Sequence, residues 1–300
     1  MAKIPLPFDR STIRSVLIQT VTAPHCTQGS LRYWLSVGPG DFQLSSSGCA
    51  NPALYAVVIE SPSLQVPAGC KVVTSSIPIK SPQFAVMKSV NYLPNALTKV
   101  EGEENGAFTG IWLDDEGFIA EGSNMNVGLV TAGKELLMPR FDKILSGCTA
   151  KRVLTLAEQL VADGRLSRII SRNVSVQEGK AAGEMMLIGS GILVKPVVQW
   201  DDQIIGSGQE GPIAQALYDL ILEDMRSASW SSIPRINVSV HGCLQQHVFF
   251  LPFALNAAAS LCLLPLGASL HAVAIRLALV PLRMARNRLG NRGDACNASD

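Results

Sequence analysis

The protein has 300 residues, of which 47% are hydrophobic and 16% are charged, and its formal net charge is +1 at pH 7. This length suits one large domain or two ordinary ones, and the balance of charge gives no electrostatic field that would attract nucleic acid. The 7 cysteines contain no C-x-x-C pair, so we expect neither a metal site nor a disulfide framework.

The first elements in chain order predict a small α/β domain over residues 1–80. Apolar side chains at helical spacing follow Asp9 and Ser11, either of which is a suitable N-cap, and predict a helix of about three turns. Segments rich in aromatic and β-branched residues predict strands over residues 30–36, 53–60 and 71–76. Two prolines in residues 77–82 predict an extended crossing segment, which we interpret as the domain boundary.

Residues 81–226 are predicted to form a larger domain, and the fold class as a whole is α+β with mostly antiparallel strands. The same rules predict helices over residues 93–104, 149–163 and 212–225. Thr149 is the expected N-cap of the second of these helices. Two hairpins are predicted within residues 107–121 and 125–138, and further strands over 167–174, 184–188 and 192–198.

Residues 227–300 form an atypical tail, in which residues 236–275 contain no charged side chain. Residues 248–270 are long enough to cross a bilayer as a helix, and arginines follow them. Pro252 and Pro265 weaken this interpretation. We favour the alternative that the tail derives from an aberrant transcript or gene model, and a membrane anchor stays the second interpretation.

Lys88 and Glu121 are the first candidates for chemistry. A lysine with a lowered pKa is a Schiff-base nucleophile, and Lys88 follows an apolar segment that we predict as a strand. Glu121 ends an apolar strand and precedes Gly122, so a ligand ring could approach it. A carboxylate that faces a pyridine nitrogen keeps that nitrogen protonated. Taken alone, a solvated lysine and a surface glutamate are the commoner interpretations.

Two turns with small hydroxyl side chains are candidate anion sites. Residues 146–149 (Ser-Gly-Cys-Thr) precede a predicted helix, and residues 189–191 (Gly-Ser-Gly) follow a predicted strand. Amides at a helix start or in a glycine turn bind phosphate oxygens. Ordinary turn and cap chemistry is the alternative for either one alone.

Together these segments resemble a known family. The strings KSVNYLPNALTKVEGEENGAFTGIWLDDEGFIAEGSNMNVGLV, ILSGCTAKR, EMMLIGSGILVKPV and GPIAQALYDLI occur in that order. Residues 3–226 resemble the fold-type IV pyridoxal-phosphate enzymes, which include branched-chain and D-amino acid aminotransferases and aminodeoxychorismate lyase. The similarity is greatest to the plant D-amino acid aminotransferase-like branch.

The resemblance implies a role for each matching residue. Lys88 would attach pyridoxal 5'-phosphate and move the proton between the substrate and the cofactor. Tyr92 would bond the phenolic oxygen of the cofactor, and Glu121 would pair with its ring nitrogen. Three residues would contact the phosphate: Cys148, Thr149 and Ser190. Arg32 would face the substrate pocket, although a solvent-facing arginine on the predicted strand is an equal alternative.

The resemblance also implies parts that this sequence does not match. Relatives carry an N-terminal segment with a hairpin and an arginine that binds the cofactor phosphate, and residues 3–226 contain no counterpart. Losing such a contact costs about 1.5–3 kcal/mol, so we expect weaker cofactor binding. The first residues lack a secretory or transit signal, so the cytoplasm is the default location, with the chloroplast open for full-length relatives.

These observations give several hypotheses. The first is a homodimeric aminotransferase that moves an amino group between an amino acid, preferably a D-amino acid, and a 2-oxo acid. The alternatives with the same cofactor are aminodeoxychorismate lyase, which releases pyruvate, and a branched-chain aminotransferase. A catalytically impaired, truncated product and a membrane protein are the alternatives from other classes.

The two atypical ends predict an impaired chain. We compare three versions: the chain as written, residues 1–226, and residues 1–226 preceded by the missing segment of a relative. Solubility should rise when the tail is removed, because a long uncharged apolar stretch favours aggregation. Cofactor binding, measured by absorbance titration, should recover only in the third version. Full solubility and stoichiometric cofactor binding by the unmodified chain would contradict both expectations.

Overall fold

The computed structural model describes residues 3–23, 29–41, 44–49, 51–60 and 68–227. All of these residues lie in one compact unit, which covers residues 1–243. The atypical tail, including residues 248–270, lies outside the described residues. Within the described ranges, no helix is both long enough and apolar enough to cross a membrane.

The described chain contains both helices and strands, which confirms the α+β class. Ser46–Gly48 form a short 3-10 helix, and the α-helices are α1 Arg10–Thr22, α2 Pro82–Ala85, α3 Leu93–Glu104, α4 Cys148–Ala162, α5 Val176–Lys180 and α6 Pro212–Ser227. The strands are β1 Gly29–Ser36, β2 Ala53–Glu60, β3 Cys70–Thr74, β4 Thr109–Leu113, β5 Ile119–Gly122, β6 Asn126–Val130, β7 Glu135–Met138, β8 Arg168–Ser171, β9 Glu184–Gly189, β10 Leu193–Trp200 and β11 Gln203–Ile204.

Local capping determines where two of the helices begin. Asp9 is the N-cap of α1, and its carboxylate accepts a hydrogen bond of 2.8 Å from the Thr12 amide. Hydrogen bonds from Ser11 and Thr12 lower the pKa of Asp9 to about 2. Helix α6 begins at Pro212, as predicted, and the Glu184 carboxylate of β9 accepts bonds from its first free amides.

The first two strands form a separate antiparallel ribbon. Gly29 pairs with Glu60 at one end and Ser36 with Ala53 at the other. Helix α1 packs against this ribbon, mainly on β2, and buries Ile13 and Leu17. The other face of β2 leaves Tyr55, Val57 and Ile59 exposed.

The remaining strands form one nine-stranded sheet, in which six strands close into a ring. The order is β11-β10-β3-β4-β5-β6-β7-β8, and β9 pairs with both β6 and β10. The path β10-β3-β4-β5-β6-β9 therefore returns to its start, as in a barrel. Most pairings are antiparallel; the parallel ones are β3 with β10, β3 with β4, and β7 with β8.

Strand β9 separates two apolar clusters. Met185 and Leu187 belong to a cluster that receives side chains from all six ring strands and therefore fills the ring. Met186 and Ile188 belong to a second cluster, shared with α4 and α6 on the outside. The Arg152–Asp224 ion pair joins these two helices, with Nε and Oδ2 2.8 Å apart.

The structure adds to or corrects the sequence analysis at three points. Strand β3 lies within the range that we assigned to the small domain, but it pairs with β10 and β4 of the large sheet. The change of sheet therefore falls before Cys70, and the division into domains stays a prediction. Helix α5 was not predicted, because five residues give no readable period. The apolar segment before Lys88 is the short helix α2, and the predicted strand is wrong, because Pro82 favours a first helical turn.

Two fully buried tryptophans differ in one hydrogen bond. The Trp200 indole donates to Thr74 Oγ1 at 3.0 Å, whereas Nε1 of Trp112 has no partner among the described residues. We expect both Trp112→Phe and Trp200→Phe to lower the free energy of unfolding. The loss should be about 1–2 kcal/mol larger for Trp200→Phe, because only this substitution removes a hydrogen-bonded donor. Urea denaturation measures both values. Equal losses would indicate that the Trp112 indole has a partner.

Candidate active site

Lys88 lies in the irregular segment between α2 and α3, four residues before Tyr92. Its Nζ donates a hydrogen bond of 2.8 Å to the Tyr92 hydroxyl and lies 5.4 Å from the centroid of that ring. Lys88 is exposed. A free amino group held by a phenol on an accessible surface is suited to nucleophilic attack on a carbonyl group.

A second lysine, Lys80, approaches the same ring. Its Nζ lies 5.7 Å from the Tyr92 centroid, so two cations contact one aromatic side chain. Both lysines also act electrostatically on Glu121, whose pKa they lower. Lys80 was not among the residues predicted from the sequence, because it lies in the crossing segment, where no periodicity indicates side-chain direction.

Glu121 lies on β5, opposite Asn126 on β6. Only 6% of its surface is exposed, so the surface interpretation of this residue is wrong. Its Oε2 accepts hydrogen bonds from the Leu145 amide at 3.2 Å and from Asn126 Nδ2 at 3.4 Å. Burial raises the pKa of Glu121 to about 8, against the opposing effects of the Leu145 amide and the two lysines.

Helix α4 begins at Cys148, with Gly147 as its N-cap, and the prediction that Thr149 is the N-cap is wrong. Glycine is required there, because an ideal Cβ at residue 147 would lie 2.1 Å from Asn126 Oδ1. No side chain of the described residues caps the helix. The first-turn amides, with the Thr149 hydroxyl and the exposed Cys148 beside them, are therefore open to an anion.

Ser190 lies directly after β9, at the edge of the sheet next to the turn that follows Glu121. Ile188 pairs with Asn126, and a Cβ on Gly189 would lie 3.5 Å from the Asn124 carbonyl oxygen. Ser190 is exposed. Its predicted contact with phosphate is compatible with this placement and stays a prediction.

Tyr33 of the ribbon is half-buried and interacts electrostatically with Cys148, the first residue of helix α4. The pKa of Tyr33 is raised, first by burial and second by the electrostatic effect of the Cys148 side chain. Arg32 is exposed, and since side chains alternate along a strand, it lies on the opposite face of the ribbon. The predicted substrate contact of Arg32 therefore stays a prediction.

The three residues that the sequence interpretation missed are Lys80, Tyr33 and Asn126. Asn126 was visible as the last residue of the Glu-Gly-x-x-x-Asn pattern, but nothing in that pattern indicated its contacts. Within the described ranges, no cluster of three or more His, Cys, Asp or Glu side chains could hold a metal ion.

Comparison with known proteins supports the family resemblance that the sequence motifs indicate. Residues 1–200 match the family described as "Amino-transferase class IV". The chloroplastic D-amino-acid transaminase of Arabidopsis thaliana is 64% identical over 228 residues, which cover 76% of this chain and 61% of that protein. The chain thus spans about three fifths of this relative. The D-alanine aminotransferase of Bacillus licheniformis is 26% identical over 227 residues, with 74% and 77% of the two chains covered.

Solved structures share the fold. The T.th. branched-chain amino acid aminotransferase with pyridoxamine 5'-phosphate has a TM-score of 0.67 at 23% identity, over 74% of this chain and 73% of that one. The Escherichia coli branched-chain amino acid aminotransferase has a TM-score of 0.66 at 21% identity, over 74% and 73%. The ring of strands, the lysine–tyrosine pair and the buried carboxyl thus occur in a chain that belongs to the class IV aminotransferases, a pyridoxal-phosphate-dependent family with the fold-type IV architecture.

Proposed function

We propose that this protein is a pyridoxal-phosphate-dependent aminotransferase that moves an amino group between a D-amino acid and a 2-oxo acid. The observation that carries the proposal is the hydrogen bond between Lys88 and Tyr92, together with the buried Glu121 carboxyl, on which Lys88 acts electrostatically. The 64% identity to the Arabidopsis D-amino-acid transaminase supports the choice of a D-amino acid. The name of that relative also supports a chloroplast location.

The donor set fits the cofactor at both of its polar ends. Glu121 offers a buried carboxyl for a ring nitrogen, and the uncapped start of α4 offers amides for a phosphate. Lys88 and Tyr92 offer an amine and a phenol for the aldehyde and the phenolic oxygen. When bound, pyridoxal phosphate supplies an electron sink for the electrons of the substrate α-carbon.

Lys88 carries the proton in the proposed reaction. A neutral Nζ would accept the proton of the substrate α-carbon and would hold it for return later in the reaction. The hydrogen bond to Tyr92 Oη directs the amine, since a donor and acceptor 2.8 Å apart restrict its rotation. The same amine would hold the cofactor when no substrate is bound.

Glu121 controls the protonation of the ring nitrogen. Because burial raises its pKa to about 8, the isolated carboxyl holds a proton at neutral pH. Glu121 would give that proton to a ring nitrogen held beside it and would remain paired with it as a carboxylate. The Leu145 amide stabilises the carboxylate by donating to Oε2.

We also propose a homodimer. Helix α3 exposes an apolar row consisting of Leu93, Leu97 and Val100, at spacings that place these side chains on one face. Phe84, on α2, is also exposed and apolar. Burying such a patch against a second copy stabilises a dimer by removing apolar surface from water.

The two alternatives with the same cofactor use the same lysine. The assay that separates them supplies D-alanine or D-methionine with 2-oxoglutarate, L-leucine with 2-oxoglutarate, or aminodeoxychorismate alone. Glutamate formed from a D-amino acid supports the proposal. Pyruvate released from aminodeoxychorismate, with no glutamate from any amino donor, would support the lyase instead.

Replacing Lys88 tests its role. We expect Lys88→Ala to abolish transamination of D-alanine, because no other group on this segment replaces the amine. Lys88→Arg keeps the charge but not the nucleophile and should be equally inactive. Both should keep the wild-type urea midpoint, since the residue is exposed. Turnover above a trace in either variant would refute the assignment.

Glu121→Gln tests the acid for the ring nitrogen. We expect a large loss of kcat and a small change in the dissociation constant for pyridoxal phosphate, because a neutral amide cannot keep the nitrogen protonated. Equal losses of both would indicate a structural role.

We expect Glu121→Gln also to change how the free energy of unfolding depends on pH. An unfolded glutamate loses its proton near pH 4.5, whereas buried Glu121 holds it until about pH 8. The free energy of unfolding of the cofactor-free protein should therefore fall between these pH values, and Glu121→Gln should remove this part of the decrease. Urea titrations across the range measure it.

A further inference from the structure

The Asn126 side chain contacts both polar ends of the proposed site. This residue on β6 is 4% exposed, and it pairs with Glu121 on one side and Ile188 on the other. Its Nδ2 donates to the Leu145 carbonyl oxygen at 2.9 Å and to Glu121 Oε2 at 3.4 Å. The two N–H bonds of the amide thus reach two different acceptors.

Leu145 closes this hydrogen-bonded group, and Gly147 packs against it. The Leu145 amide donates to the same Glu121 oxygen at 3.2 Å, so the peptide groups of this loop contact both Glu121 and Asn126. Two residues further on, a Cβ on Gly147 would overlap Asn126 Oδ1 at 2.1 Å. Gly147 is the N-cap of α4, where the open amides begin.

We propose that Asn126 is a positioning residue that holds Glu121 and the start of α4 in one hydrogen-bonded unit. It thereby fixes the spacing between the carboxyl for the ring nitrogen and the amides for the phosphate. This inference rests on the proposed function, because it assigns those two ends to one cofactor. Asn126 acts through its neighbours.

The chemistry of asparagine is required at this position. Aspartate has the same shape but no N–H, so it would place a second carboxylate beside Glu121 and a lone pair against the Leu145 carbonyl. Alanine would leave the Leu145 carbonyl without this donor and open space behind Gly147. Only a short side chain with two donors satisfies Glu121 Oε2 and Leu145 at once.

The test uses Asn126→Asp, Asn126→Ala and Gly147→Ala, with the exposed Asn173→Asp as the matched control. The isosteric variant preserves volume, and Gly147→Ala disturbs the same unit from the loop side. Three quantities are measured: the dissociation constants for pyridoxal phosphate and for pyridoxal, the kcat with D-alanine, and the urea midpoint. Pyridoxal lacks the phosphate, so the ratio of the two constants reports on the anion site alone.

We expect the three variants, but not the control, to lower the preference for pyridoxal phosphate over pyridoxal roughly tenfold, which corresponds to about 1.4 kcal/mol. Asn126→Asp should also lower kcat in the wild type but add little to the loss in the Glu121→Gln background, because it acts through that carboxyl. The loss of phosphate preference should persist in both backgrounds.

Two results would overturn the inference: an unchanged ratio of the two constants in all three variants, or a kcat loss of equal factor with and without Glu121→Gln. Absence of transamination by the wild type, with the ratio still altered, would refute the proposed function alone. If the wild type binds neither ligand, the pH dependence of the free energy of unfolding tests the positioning role of Asn126. Asn126→Ala should then extend the Glu121-dependent fall in stability to higher pH, and an unchanged profile would refute the positioning role.

Discussion

Strand β9 is the element on which the rest of the large sheet depends. Its backbone pairs with β6 on one side and β10 on the other, and this double pairing closes the ring of strands. Because the ring is closed, its interior is filled by side chains and its outer face is free to pack against α4 and α6. The same strand pairs Ile188 with Asn126, and this register sets where along the strands the candidate site lies.

The site combines a costly burial with partial compensation. A carboxyl that is 6% exposed loses most of its hydration, and one backbone amide with one side-chain amide replaces only part of it. The consequence is a pKa of about 8 rather than an ordinary one. The Glu121 carboxyl is therefore protonated at neutral pH and can act as an acid toward a basic group that lies beside it.

Much of the local structure could be predicted from the sequence, because short-range chemistry specifies it. Asp9 and Pro212 mark helix starts through capping and a fixed φ angle, and Gly164, at a φ of +68°, follows the end of α4 as expected. The predicted N-cap of α4 was wrong by two residues, since it is Gly147 and not Thr149. The hydroxyl of Thr149 is a good cap in principle, but Gly147 is the residue that fits against Asn126.

The features that could not be predicted depend on distant pairings. The parallel pairing of β3 with β4 joins strands that α2 and α3 separate in the chain, so no local pattern indicates it. Burial of Glu121 depends on the loop before α4, more than 20 residues away. The choice between Arg32 and Tyr33 depends on the face that the ribbon turns towards α4, and alternation along a strand does not specify which face that is.

The position of Tyr33 couples the ribbon to whatever occupies the anion site. A two-stranded ribbon is marginally stable in water when isolated. This ribbon relies on α1 and on the proximity of its half-buried tyrosine to the start of α4. By thermodynamic reciprocity, any free energy that Tyr33 contributes to ligand affinity also stabilises the folded ribbon when the ligand is bound. Occupancy of the anion site and folding of the ribbon are therefore linked by as much free energy as Tyr33 contributes to both.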